Sequence, residues 1–139
     1  MDVVFLIGRI LFVAVFLGSS AAHLSDRGAM AGYAESRGVR PGQPAVWITG
    51  AQILIGGLSV LLGVWMDVGA ILLALFTLST ALLMHRFWPE KDPTTRQQEM
   101  IQFMKDIALA GASLILLFLV WELGDATPLT LTDPLFDVD

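Results

Sequence analysis

The chain has 139 residues, of which 55% are hydrophobic and 15% charged, with a mean hydropathy of +0.72. A soluble domain of this length has too little core volume to hide so much apolar surface, so lipid must be the solvent for much of it. There is no cysteine, which excludes disulfides, thiolate metal sites and cysteine redox chemistry, and the 8 basic residues form no extended face for nucleic acid.

Four apolar stretches are expected to cross the membrane, over about residues 3–22, 45–64, 68–84 and 103–121. Roughly 20 helical residues at 1.5 Å rise span a hydrocarbon core of about 30 Å. The runs are too long and too uniformly apolar for the alternating strands of a membrane barrel. Helices also satisfy every backbone group internally, as lipid demands. Trp47, Trp65, Trp88 and Trp121 all fall at span ends, where aromatic belts belong.

In the first stretch, Ser19-Ser20-Ala21-Ala22 resembles a signal-peptide cleavage region, but the first eight residues carry no positive charge. The stretch is therefore expected to stay as a helix. The loop that follows, residues 24–44, contains a short helix capped by Ser25 or Asp26, with Met30, Tyr33 and Ala34 on one face. Gly38 ends it, and Pro41-Gly42-Gln43-Pro44 turns the chain back into the membrane. This helix is expected to lie on the bilayer surface, or to act as a lid over a pocket. The second basic loop, residues 86–102, is polar, and Pro89 and Pro93 are expected to block continuous helix there. The tail, residues 122–139, is acidic and contains Pro128 and Pro134. Its Leu129, Leu131, Leu135 and Phe136 are expected either to dock on a partner or to fold back across the end of the bundle.

Charge placement sets the expected topology. Arg27, Arg37 and Arg40 lie in the first loop, and Arg86, Lys91 and Arg96 lie in the second, with Lys105 at the start of the fourth span. The link around Trp65-Met66-Asp67 and the tail have no Lys or Arg. The positive-inside rule then puts both basic loops in the cytoplasm and both termini outside.

At 100° per residue, Arg9, Phe16, Ser20 and His23 share a stripe of about 60° on the first helix. Thr49, Gln52, Gly56, Ser59 and Gly63 share a stripe of about 80° on the second, and Ala70, Ala74, Thr77 and Ala81 do so on the third. Small and hydrogen-bonding residues on one face are what helix contacts in lipid prefer.

The candidate site comes from the ionisable residues. His23, His85, Lys105 and Asp106 fall at one membrane face, with Gln52 about two turns inside it. Such groups around an apolar bundle are suited to hydrogen-bonding a quinone head group or relaying its protons. The alternative is that His23, His85 and Lys105 snorkel to lipid phosphate. Bis-histidine haem requires His23 and His85 to face each other, which their positions at the ends of different helices do not by themselves supply. No carboxylate or histidine pair stands at i, i+3 or i+4 within a span, so no metal site is expected. Arg9, deep in its span at the opposite face, is expected to find a partner such as Glu122 or Asp67.

Gly8-Arg9-Ile10-Leu11 and Phe16-Leu17-Gly18, then Gly56-Gly57-Leu58 and Leu61-Leu62-Gly63, then His85-Arg86-Phe87-Trp88 and Phe103-Met104-Lys105-Asp106-Ile107-Ala108-Leu109-Ala110-Gly111 run through nearly the whole chain. In these segments the chain resembles the DoxX family of small bacterial four-helix membrane proteins. Family members often carry a Glu before the paired glycines, where this chain has Gln52. The resemblance implies a bacterial cytoplasmic (inner) membrane protein that partners redox systems. Some relatives are subunits of a thiosulfate:quinone oxidoreductase, and others associate with superoxide dismutase and a sulfurtransferase.

The sequence thus predicts an all-α, polytopic protein: one domain of four transmembrane helices in an up-down-up-down bundle. The expected function is an accessory or anchoring subunit of a quinone-linked redox assembly, in complex with a membrane protein partner. The alternative is a stand-alone bundle binding a lipid or small apolar ligand. No nucleophile–base pair or nucleotide motif points to independent catalysis.

Overall fold

The computed structural model describes residues 2–136, all of them helix, turn or irregular chain. Asp137 and Asp139 of the acidic tail lie outside the described residues. The long helices are α1 (Asp2–Leu24), α3 (Gly42–Leu62), α4 (Met66–Leu83) and α5 (Pro93–Leu123), with the short α2 (Ala29–Ser36) between the first two and a 3-10 turn (Gly124–Ala126) after the last. All four long helices are long and apolar enough to cross a membrane. They alternate in direction, so the bundle is the expected up-down-up-down arrangement. Close helix contacts run in the series α1–α3–α4–α5, and α2 packs on α3.

The core holds Val13 and Phe16 of α1, Ile53 and Val60 of α3, Leu73 and Phe76 of α4, and Leu116, Leu117 and Val120 of α5. Residues such as Leu11, Ile48 and Ile115 point outward, more than 60% exposed, which suits helices whose solvent is lipid. Helices pack closely in lipid where small residues let their backbones approach. Ala70, Ala74, Thr77 and Ala81 of α4 are all buried. On α3 two faces are used. Gln52, Gly56 and Ser59 face α4, where Gln52 Nε2 donates to the Leu72 carbonyl at 2.9 Å. The second face, toward α1, is centred on Gly50, whose carbonyl accepts from Ser20 Oγ at 2.9 Å. A Cβ on Gly50 would lie 2.8 Å from His23 Cβ, so the approach of α1 there depends on glycine.

The structure corrects the reading of Pro93. The helix that carries the fourth span begins at Pro93, ten residues before the expected membrane entry at Phe103. Proline at the first helical position loses no hydrogen bond, and its fixed φ suits a helix start. Asp92 is the N-cap, and its carboxylate accepts from the Thr95 amide at 2.8 Å. The expected block is a start signal.

The tail folds back across the end of its own bundle. Gly63, at φ 70°, ends α3 in the left-handed region, and its carbonyl accepts from the Leu131 and Thr132 amides at 2.9 and 3.1 Å. A Cβ on Gly63 would lie 2.6 Å from Thr130 Cα. Thr132 Oγ1 accepts from the Trp65 amide at 2.9 Å. Asp67, fully buried in the first turn of α4, accepts from the Leu135 and Phe136 amides at 3.0 and 2.8 Å. The side chains of Leu129, Leu131, Leu135 and Phe136 remain exposed.

Arg9 is buried, and its partners are main-chain carbonyls, not the carboxylates expected from the sequence. Nε donates to Val60 at 3.0 Å and Nη2 to Leu61 at 2.5 Å, while Nη1 donates to Leu129 at 2.7 Å and Pro128 at 3.3 Å. Val60 and Leu61 lie in the last turn of α3, where carbonyls have no helical partner and the dipole favours a cation. Asp67 is taken by tail amides, which leaves Arg9 and Asp67 joined through the tail and not by an ion pair.

Candidate functional site

The opposite end of the bundle holds a partly open cavity of about 530 Å³, bounded by α1, α2, α3, α4 and α5. Its walls include Met30, Val46, Phe76 and Leu83, and its polar lining includes His23, His85, Lys105 and Asp106. Four of the five residues singled out as a site are therefore brought together. The fifth, Gln52, is not, because its amide is committed to the α3–α4 contact.

His85 follows the last turn of α4 and holds the centre of the polar group. Its Nδ1 lies 2.8 Å from Glu99 Oε2, and its Nε2 lies 3.8 Å from Asp106 Oδ2. Glu99 and Asp106 are seven residues apart on α5, two helical turns, and so share a face. The Asp106 side chain is 7% exposed, and its Oδ2 has no hydrogen-bond partner among the described residues. Lys105 is half-exposed, bonded to Gln102, with its Nζ 4.0 Å from Asp106 Oδ1. His23 on α1 places Nδ1 2.8 Å from the Ser19 carbonyl and packs edge-on against Phe76.

Glu99, Tyr33 and Arg37 complete the site; none of the three was singled out from the sequence as a site residue, and Glu99 is the one that joins the others. Glu99 Oε1 accepts from Tyr33 Oη at 2.8 Å and from Arg37 at 2.7 Å. Arg37 also pairs with Glu90 at 2.6 Å, and the Arg37 carbonyl accepts from Arg86 at 2.6 Å. These bonds fix the end of α2, whose Met30, Tyr33 and Ala34 line the cavity. Burial raises the Tyr33 phenol above its ordinary pKa, and the bond to Glu99 acts the same way. This helix begins where the Asp26 carboxylate accepts from the Gly28, Met30 and Ala31 amides. The available signal for Glu99 was the Asp92-Pro93 cap. Once the helix is started there, Glu99 falls in register with Asp106.

The DoxX family model matches residues 4–86, more than half of the chain. The chain belongs to the DoxX family. DoxX proteins are membrane proteins often linked to redox-related function. The matched segment covers α1 to α4 and ends just after His85, so α5 with Glu99, Lys105 and Asp106 lies beyond it. No curated protein and no solved structure matches the chain.

Proposed function

We propose that this DoxX protein is an integral accessory subunit of a membrane redox assembly, and that its cavity holds the head group of a quinone. The observation that carries the reading is the buried, unpartnered Oδ2 of Asp106 beside His85 in a cavity of about 530 Å³. That volume lies in the range of small-molecule sites, which combine apolar walls with a few convergent polar groups. A planar ring has apolar faces for Phe76 and Leu83, and oxygens for the histidines, Lys105 and Asp106. His85 sits between a buried carboxylate and Glu99, an arrangement suited to moving a proton between cavity and surface. We infer that the site lies at the cytoplasmic face of a bacterial inner membrane, with α2 and the α4–α5 loop inside and the tail outside; the distribution of Lys and Arg supports this orientation.

The test is purification in mild detergent, extraction of bound quinone and identification of co-purifying proteins. His85→Ala is expected to lower bound quinone about tenfold or more, since hydrogen bonds to charged groups contribute roughly 1.5–3 kcal/mol, while the protein still inserts. Unchanged quinone content in both His85→Ala and His23→Ala would leave those side chains only a role at the lipid interface. For topology, Cys at Asp2 and Asp125 should react with an impermeant thiol reagent in intact cells, and Cys at Arg27 only after lysis; the reverse pattern inverts the assignment.

A second reading, a stand-alone bundle that binds a lipid or small apolar ligand, is favoured by the tail. Its backbone is bonded to Gly63, Asp67 and Arg9 of the same chain, so its order requires no partner. A purified monomer carrying lipid and no redox subunit would select this reading.

A further inference from the structure

Hydrogen-bond accounting in the cavity says which form of the ligand fits, given the quinone reading above. Glu99 already accepts from Tyr33 and Arg37, and as a carboxylate it has no proton to give to His85. His85 must therefore donate Nδ1–H to Glu99 Oε2 at 2.8 Å. A neutral His85 then presents its Nε2 as an acceptor. Beside it stands Asp106 Oδ2, buried and without a partner at 3.8 Å. Ionised, Asp106 is purely an acceptor, and its Oδ1 lies 4.0 Å from the Lys105 Nζ. His23 follows the same logic: Nδ1 donates to the Ser19 carbonyl at 2.8 Å, which leaves Nε2 as an acceptor when the ring is neutral.

The hydroxyl hydrogens nearby are already committed. Tyr33 gives its own to Glu99 or the Met84 carbonyl, Thr49 to Ala45 or Val46, and Ser79 to Leu75 or Phe76. Ser19, Thr80 and Lys105 keep donors free, but an incoming hydroxyl oxygen accepts from them as a carbonyl oxygen does, so they do not separate the two. The acceptors do. A ring carbonyl placed at the His85–Asp106 pair meets lone pairs opposite its own. A ring hydroxyl donates to Asp106 Oδ2 or His85 Nε2. If His85 is protonated, the hydroxyl still donates to Asp106 and accepts from the imidazolium, whereas a carbonyl satisfies only the imidazolium and leaves the carboxylate unpaired.

We propose that the cavity discriminates between redox states of its ligand, taking the hydroxyl-bearing hydroquinone in preference to the quinone through the acceptor pair His85 Nε2 and Asp106 Oδ2. Glu99 is the positioning residue, because its carboxylate fixes which ring nitrogen of His85 carries the proton. Sites that hydrogen-bond a ligand group reject the analogue lacking it, because buried polar atoms are left unpaired.

The test is calorimetric titration of the detergent-solubilised full chain with a short-chain hydroquinone and its benzoquinone, anaerobically at neutral pH. The hydroquinone is expected to bind about tenfold or more tightly, the equivalent of one lost hydrogen bond. Asp106→Asn, which supplies an amide donor in place of an acceptor, should narrow or invert that ratio. Glu99→Gln, whose amide can itself donate to His85 Nδ1, should move the ratio in the same direction by allowing Nε2 to carry the proton. Equal or tighter binding of the benzoquinone to the unaltered chain overturns the discrimination and leaves the quinone site standing. If neither compound binds, the quinone reading fails as well. The ratio in the unaltered chain decides the matter even where Asp106→Asn does not fold.

Discussion

At the tail end of the bundle, Arg9 and Asp67 are each buried and each satisfied by main-chain groups, four carbonyls for the cation and two amides for the carboxylate. At the other end, Glu99 is bonded to His85, Tyr33 and Arg37, while Asp106 has only the Lys105 ammonium and the His85 ring at 4.0 and 3.8 Å, and its buried Oδ2 is left over beside a cavity. Buried charge is costly unless it is paired or hydrogen-bonded, so the first arrangement reads as a closed structural device. The second has an open position, and an open position is where a ligand goes. Two clusters of ionisable residues in one small bundle thus differ in kind, and the difference lies in whether the accounting closes.

Breaking the closed end should have the largest effect. Arg9→Met removes the donor to four carbonyls, two of them at the buried end of α3, and is expected to destabilise the bundle by about 3 kcal/mol or more. The measurement is unfolding in mixed micelles with denaturing detergent, alongside Arg9→Lys. Lysine keeps the charge but lacks the fork of donors, so it should recover only part of the loss. Stability equal to the unaltered chain in Arg9→Met would show that the carbonyls find other partners and that the end is not closed by this residue.

Truncation after Gly124 tests the same end more gently. Arg9 keeps Val60 and Leu61 but loses Pro128 and Leu129, and Asp67 loses both amides. Water replaces part of what is removed, so a loss of about 1–3 kcal/mol is expected, with quinone content unchanged. Loss of co-purifying subunits with no loss of stability would instead make the tail a docking element through its exposed leucines.

The smallest effect should come from pH acting on α2. Amides of Met30, Gly28 and Ala31 hold the Asp26 carboxyl below its ordinary pKa, with Met30 the largest contributor and burial, the next largest, opposing it. A depressed folded pKa contributes stability above the ordinary aspartate value of about 3.9, and that contribution is lost as pH falls through the lower folded value. Amide exchange of residues 28–34 should accelerate selectively in that acid range, and Asp26→Asn should remove the dependence. Uniform acceleration across α1 to α5 would mean that α2 has no stability of its own.

The sequence by itself determined the solvent, the number of long helices and their alternation, because an apolar run of about 20 residues has one low-energy state in lipid and its length is written in the chain. It also placed His23, His85, Lys105 and Asp106 at one end, since alternation of direction alone assigns residues to ends. Tertiary structure decided which of these polar groups meet. Gln52 turned to α4 because the carbonyl of Leu72 lay within reach. Arg9 found carbonyls instead of carboxylates because the end of α3 and the returning tail were nearer than any acid. Glu99 joined the site because Asp92-Pro93 started α5 before the membrane, a signal present in the sequence and read as its opposite. Hydropathy is additive along a chain and can be read one residue at a time. Hydrogen-bond satisfaction is a property of pairs brought together by folding, and that is why the spans were legible and the partners were not.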